Sequence, residues 1–281
     1  MSEPVLLALV AMVCYGIGDF IYKRAAAAGI RADHFLAGQA WIFCPLIIVY
    51  ALATGRLLLL PDALWGSLAG LFVFGGFYYF ARSLGSGSVS TNASIFRLNF
   101  IVTVVLVIAF FGEPLSAAKI VGLIFALVAT WLLLGAADAK RRNEPGSIMQ
   151  VLLATSLFGT SNFLHTIGLR HGVPPETMAA AQAIVFMPLA TAVVFVGDRR
   201  LPPPSGAFKF GAPAALVLLV ATLALLRGIA GGQASVLVPI AQMGFIVAAL
   251  LGIVALREPV TWRKAAGLAA AFAALAALAL S

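Results

Sequence analysis

Nine side chains in this sequence set polar or ionisable chemistry inside long apolar runs: Asp19, Gln39, Tyr78, Tyr79, Arg97, Asn99, Asn162, Gln182 and Gln242. A polar group buried in lipid is costly unless it faces a partner or a water-filled cavity, so each is a candidate binding group. Asp19 is the only acidic residue well inside an apolar run. It can exchange a proton, which makes it the candidate coupling residue, or it can meet a cationic solute. It can equally serve as the i,i+4 partner of Lys23. Arg97 suits an anionic or zwitterionic solute if it sits at mid-depth, and would simply reach water if it sits near the interface. Gln39 and Gln182 fit either a cavity wall or an interhelical hydrogen bond. Asn99 adds polar wall, and Tyr78 and Tyr79, with Tyr15 and Trp41, add aromatic wall or interfacial anchors. His165 is a candidate proton carrier.

The elements that hold these groups follow from composition. The chain has 281 residues, 62% hydrophobic and 10% charged, with a mean hydropathy of +1.06. A soluble domain carries about 25% charged residues, so a soluble enzyme, a disordered chain and a nucleic-acid-binding module are excluded. The net charge of +8 resides in short basic clusters between apolar runs, where it reads as topology signal and contact to anionic lipid. Cys14 and Cys44 both lie in apolar runs and read as small buried hydrophobes. There is no His-Glu-x-x-His, no Walker glycine loop and no clustering of His34, His165 and His171. Neither an enzyme nor a cofactor or metal is expected.

Apolar runs between charged and Gly/Pro breaks predict ten spanning helices, at 4–22, 35–54, 63–81, 88–111, 117–136, 148–167, 177–197, 211–229, 233–255 and 264–281. The first run has Lys23 and Arg24 after it and no basic segment before it, the wrong polarity for a signal peptide. Pro239 is expected to break the ninth helix and free carbonyls to line a site. Gly66, Gly70, Gly75 and Gly76 give the third a small face for close packing.

The sequence also repeats. At an offset of 145, residues 82–129 give 16 identities in 48 positions without a gap. Arg82 matches Arg227, Ser90 matches Ser235, Glu113-Pro114 matches Glu258-Pro259, Lys119 matches Lys264 and Gly122 matches Gly267. At an offset of 143, Gly16 meets Gly159, Gln39 meets Gln182, Pro45 meets Pro188 and Asp19 meets Asn162. The expected units are 1–138 and 147–281, joined by a linker at 139–146. Five helices per unit is an odd number, so the second unit enters the membrane inverted, an architecture typical of secondary transporters. Glu113 and Glu258 are expected to cap the helix that follows each.

Lys and Arg divide 4 to 14 between the side of the N-terminus and the other side. Without Arg82, Arg97 and Arg227, which fall within or near spans, the division is 3 to 12. This predicts cytoplasmic basic loops and both termini outside.

The paired ending of each half, an apolar run, Glu-Pro, and a Gly nine residues after the Glu, resembles the EamA-type branch of the drug/metabolite transporter superfamily. Val238-Pro239-Ile240-Ala241-Gln242 ahead of the second copy adds to the resemblance, which covers nearly the whole chain. It implies a ten-helix basket with a central cavity that imports or exports small metabolites. It also implies cytoplasmic termini, opposite to the charge count.

The expected function is secondary transport of a small metabolite, amino-acid-like, zwitterionic or amphipathic, by alternating access. A passive channel or facilitator is the alternative, and a membrane-embedded enzyme or scaffold a third reading that lacks a catalytic constellation. Expected partners are the solute, membrane lipid and protons, with no nucleic acid, in a monomer or weak dimer. The expected location is the plasma membrane of a bacterium or archaeon.

Overall fold

Within lipid a backbone must satisfy its own hydrogen bonds, and a helix does so inside one segment. The computed structural model describes residues 2–86, 89–134, 145–199, 201, 203, 205–256 and 260–281, and among these every regular element is helical. The first repeat comprises α1 (Glu3–Ala27), α2 (Ala32–Ala53), α3 (Leu64–Ser86), α4 (Val89–Arg97), α5 (Asn99–Phe111) and α6 (Ala117–Leu134). The second comprises α7 (Pro145–Arg170), α8 (Pro175–Asp198), α9 (Ser205–Gly231), α10 (Ala234–Gln242), α11 (Phe245–Leu256) and α12 (Trp262–Ala279). Nine segments of the described residues are long and apolar enough to cross a membrane, and Ala117–Leu133 is a shorter apolar one.

The fourth span departs from the single helix expected over 88–111, and the ninth, over 233–255, is broken at a place other than the expected one. Leu98 separates α4 from α5, and Met243-Gly244 separates α10 from α11. Pro239 is not the break, for it lies inside α10. The interruption falls where the backbone meets another helix. A Cβ on Gly244 would lie 2.8 Å from the nitrogen of Gly16 in α1, and one on Gly159 in α7 would meet the carbonyl of Asn99 at the start of α5. The two close approaches are equivalent crossings, each between a helix of one repeat and the broken span of the other.

Packing follows the same relation. α1 lies against α9 and α3 against α7; α2 lies against α8 and α6 against α12. Exchanging the repeats converts the first two pairings into each other and returns each of the last two to itself, as a twofold relation between inverted halves requires. The small face of α3 is used as expected: Gly70 abuts the backbone of Gln182 in α8, and Gly76 abuts Phe158 in α7. A continuous core joins the halves, with Phe43, Ile47, Phe100, Met178, Phe186 and Ile246 among its buried members. The chain ends share one face of the bundle, here the terminal face. The opposite face, where α1, α3 and α8 end and α2 begins, is the basic face.

Candidate functional site

A cavity of about 320 Å³ opens at the basic face, between the start of α2, the second half of α3 and the end of α8. Its apolar wall includes Leu36, Phe74, Phe77, Ala81, Ala190 and Val193. Helical spacing sets Phe74, Phe77, Tyr78, Ala81 and Arg82 on one stripe of α3, so a single helix supplies both an aromatic wall and a guanidinium. Phe74 stacks on Tyr78 at 6.0 Å, and Phe74 and Phe77 both meet Phe186 edge to face. Arg82 donates to the Tyr78 hydroxyl at 3.2 Å and lies 5.7 Å from its ring centroid. Among the described residues no carboxylate pairs with Arg82.

The rim carries a second charged group. Arg31 donates to Asp33 and, at 2.7 Å, to Asp198 at the end of α8, and Asp198 also meets His34. Asp33 first, then Asp198, holds the Arg31 guanidinium above its ordinary range, so it stays charged. This cluster ties α2 of one repeat to α8 of the other.

The terminal face carries ion pairs on two buried carboxylates, Glu113 and Glu176, some between the halves and one within the second. Glu113, in the turn after α5, accepts from Arg170 at 2.7 Å and from the backbone N–H groups of Ala234 and Ser235 at 3.2 and 2.9 Å. It therefore caps α10 of the other repeat. The expected cap of its own following helix is corrected, because the positive end of α10 stands directly opposite. Glu258 lies outside the described residues. Lys119 is 1% exposed and donates to the Pro114 carbonyl, the Gln233 side chain and the Ser235 hydroxyl at 2.6, 2.8 and 2.7 Å. Glu176, fully buried near the start of α8, accepts from Arg227 at 2.6 Å, with Arg56 at 3.9 Å. Arg227 also donates to the Tyr50 hydroxyl at 2.9 Å.

Of the nine residues singled out in the sequence, only Tyr78 lines the cavity. Tyr79 meets its ring at 5.4 Å, edge on. Asp19 and Arg97 are brought together: Arg97, the last residue of α4, forms an ion pair with Asp19 of α1. The side chains are 31% and 21% exposed, so neither is enclosed by the helices around it. Their repeat mates, Asn162 and Gln242, are neutral and buried, and the Asn162 amide nitrogen has no partner. His165 lies one turn beyond Asn162, faces Gln182, and leaves its Nε2 without a partner. Asn99 is not cavity wall. It is fully buried and donates to the Phe96 carbonyl at 2.8 Å, bridging the helix break. Gln39 stands where α2 meets Gly211 of α9. Trp41 donates to Thr191 at 2.8 Å, fastening α2 to α8.

Sequence reasoning passed over Arg31, Asp33, Phe74, Phe77, Glu176 and Lys119 as site residues. One signal was available: Asp33 and Glu176 are repeat mates at the offset of 143, as Arg82 and Arg227 are at 145.

Comparison with known proteins agrees with this architecture. A solved crystal structure superposes with a TM-score of 0.84 at 18% identity, over 100% of this chain and 97% of its own, a likeness that carries the fold. No curated protein matches the sequence. The model of the EamA-like transporter family matches twice, over residues 3–135 and 146–280. With both inverted halves matched, the chain belongs to the EamA-like transporter family, a group of integral membrane transporters within the drug/metabolite transporter superfamily.

Proposed function

We propose that this protein is a secondary transporter that carries a small amphipathic anion or zwitterion by alternating access between its two halves, read as 1–138 and 147–281. The observation that carries this reading is an asymmetry between the two faces. A cavity enters from the basic face, while ion pairs between the repeats close the terminal face. A channel would need a continuous path, so the carrier is favoured over the facilitator.

The lining argues for the solute class. An apolar body packs against Phe74, Phe77 and Leu36, and a carboxylate meets Arg82, whose guanidinium offers forked donors. About 320 Å³ is near the lower end of small-molecule sites, which run from roughly 300 to 1,000 Å³. Asp19, partly exposed and paired with Arg97, is the candidate for proton coupling. The charge distribution supports an orientation with the cavity facing the cytoplasm, in what this reading takes to be the plasma membrane. Cysteines at Ser2 and Ser281 test that orientation: both should react with an impermeant reagent in intact cells, and reaction only after permeabilisation would reverse it.

The function itself is tested in proteoliposomes with a panel of radiolabelled amino acids and small carboxylates. Saturable uptake with counterflow is expected. Non-saturating flux would identify a channel, and absence of flux for the whole panel would refute the solute class. Uptake with and without a pH gradient, in the parent and in Asp19→Asn, tests coupling.

A further inference from the structure

The cavity at the basic face and the ion pairs at the terminal face share several repeat positions. Asp33 of the cavity corresponds to Glu176 of the seal, Arg82 to Arg227, and Val193 to Tyr50. The apolar lining corresponds too: Leu36 maps onto Ala179 and Ala81 onto Leu226, and both of these mates are buried. One set of positions thus appears twice in one molecule, once parted around a cavity and once collapsed around an ion pair.

At the collapsed copy an ion pair is formed through one carboxylate oxygen, while Glu176 Oε2 is buried without a hydrogen-bond partner. Glu176 accepts from Arg227 at 2.6 and 3.1 Å, and Arg56 stands by as a second cation. At the open copy no ion pair joins Asp33 to Arg82, although both line the cavity; Asp33 is held by Arg31 and Arg82 by the Tyr78 hydroxyl. Inverted repeats that exchange conformations exchange these arrangements. We propose that Glu176–Arg227 and Asp33–Arg82 are alternative gates, closed one at a time: the Asp33–Arg82 ion pair forms at the basic face as Glu176 and Arg227 separate at the terminal face. Arg31 remains beside Asp33 as Arg56 does beside Glu176. The separation opens a second cavity, lined by Ala179, Leu226 and Thr222, the mates of Leu36, Ala81 and Phe77. A buried carboxylate that loses its guanidinium is strongly disfavoured unless water enters, so parting the Glu176 pair requires that cavity to hydrate.

The inference rests on the alternating-access reading, but its test does not use transport. In full-length protein carrying Cys14→Ala and Cys44→Ala, reconstituted in nanodiscs, single cysteines report each face to a water-soluble maleimide. Ala81→Cys reports the basic-face cavity and Leu226→Cys its mate. Glu176→Gln should speed labelling of Leu226→Cys by about tenfold or more and slow that of Ala81→Cys, since removing one gate shifts the population toward the other state. Asp33→Asn should leave Leu226→Cys protected. If Leu226→Cys stays slow in folded Glu176→Gln, the gates are not exchanged. Should Glu176→Gln fail to fold, Asp33→Cys/Arg82→Cys with an intact Glu176 gate decides: mild oxidation should cross-link the pair and expose Leu226→Cys. Failure to cross-link, or cross-linking without exposure, overturns the proposal. Gate exchange without solute flux would instead sink the transport reading and leave the gates standing.

Discussion

Gly16 and Gly244 touch backbone to backbone, with room for no side chain between them. A Cβ on Gly16 would fall 2.5 Å from the Cβ of Val247, and one on Gly159 would fall 2.6 Å from that of Val102. Gly16→Ala and Gly159→Ala should each destabilise the protein by about 1–3 kcal/mol through overpacking, read as a fall in the thermal unfolding midpoint in detergent. Gly18→Ala is the control. Nothing lies within 4 Å of a Cβ there, so its stability should be unchanged or slightly raised.

Asp19 and Arg97 should behave as a unit. Each is partly exposed, which places their coupling between that of a surface pair and a buried one, about 1–3 kcal/mol in a double-mutant cycle. Asp19→Asn and Arg97→Gln should each lower stability, and the double variant should lose less than the sum. Strict additivity would mean the pair contributes nothing.

Glu113 serves Arg170 and two backbone N–H groups at once while being 5% exposed. Glu113→Gln leaves Arg170 without its carboxylate and halves the acceptor capacity at the start of α10. A loss of about 2–4 kcal/mol is expected, measured by thermal unfolding. Glu3→Gln, at an exposed position, should give no measurable change.

Arg82 is the cavity cation without a carboxylate partner among the described residues. Arg82→Gln should weaken binding of a carboxylate solute by about tenfold to a hundredfold, the value of a charge-assisted hydrogen bond. It should leave the binding of an analogue lacking the carboxylate nearly unchanged. Isothermal titration of both compounds separates this from a general collapse of the site.

The repeat was legible because duplicated Glu-Pro, Lys, Arg and Gly residues keep one register, and that register carried the fold. The helix breaks were only partly so: Leu98 and Met243 are ordinary helix formers, Gly244 is a weak one, and Pro239, which pointed to a break, lies inside α10. What interrupts the helices is contact with Gly16 and Gly159, many residues away in sequence. Asp19 and Arg97 were legible as costly groups and illegible as partners, since α1 and α4 meet only in three dimensions. The cavity was hardest to read. Phe74 and Phe77 look like any apolar residues of a membrane helix, and only their placement beside Arg82 distinguishes them.

The Asp19–Arg97 pair sets one anion against one cation, in contact and therefore at nearly one depth in the bilayer. A membrane voltage does work on net charge moved, about 2.3 kcal/mol per elementary charge per 100 mV, and so does almost none on this pair. The electrical cost of a transport cycle thus falls on the charge of the cargo and of any proton that travels with it, not on the ion pair of the carrier.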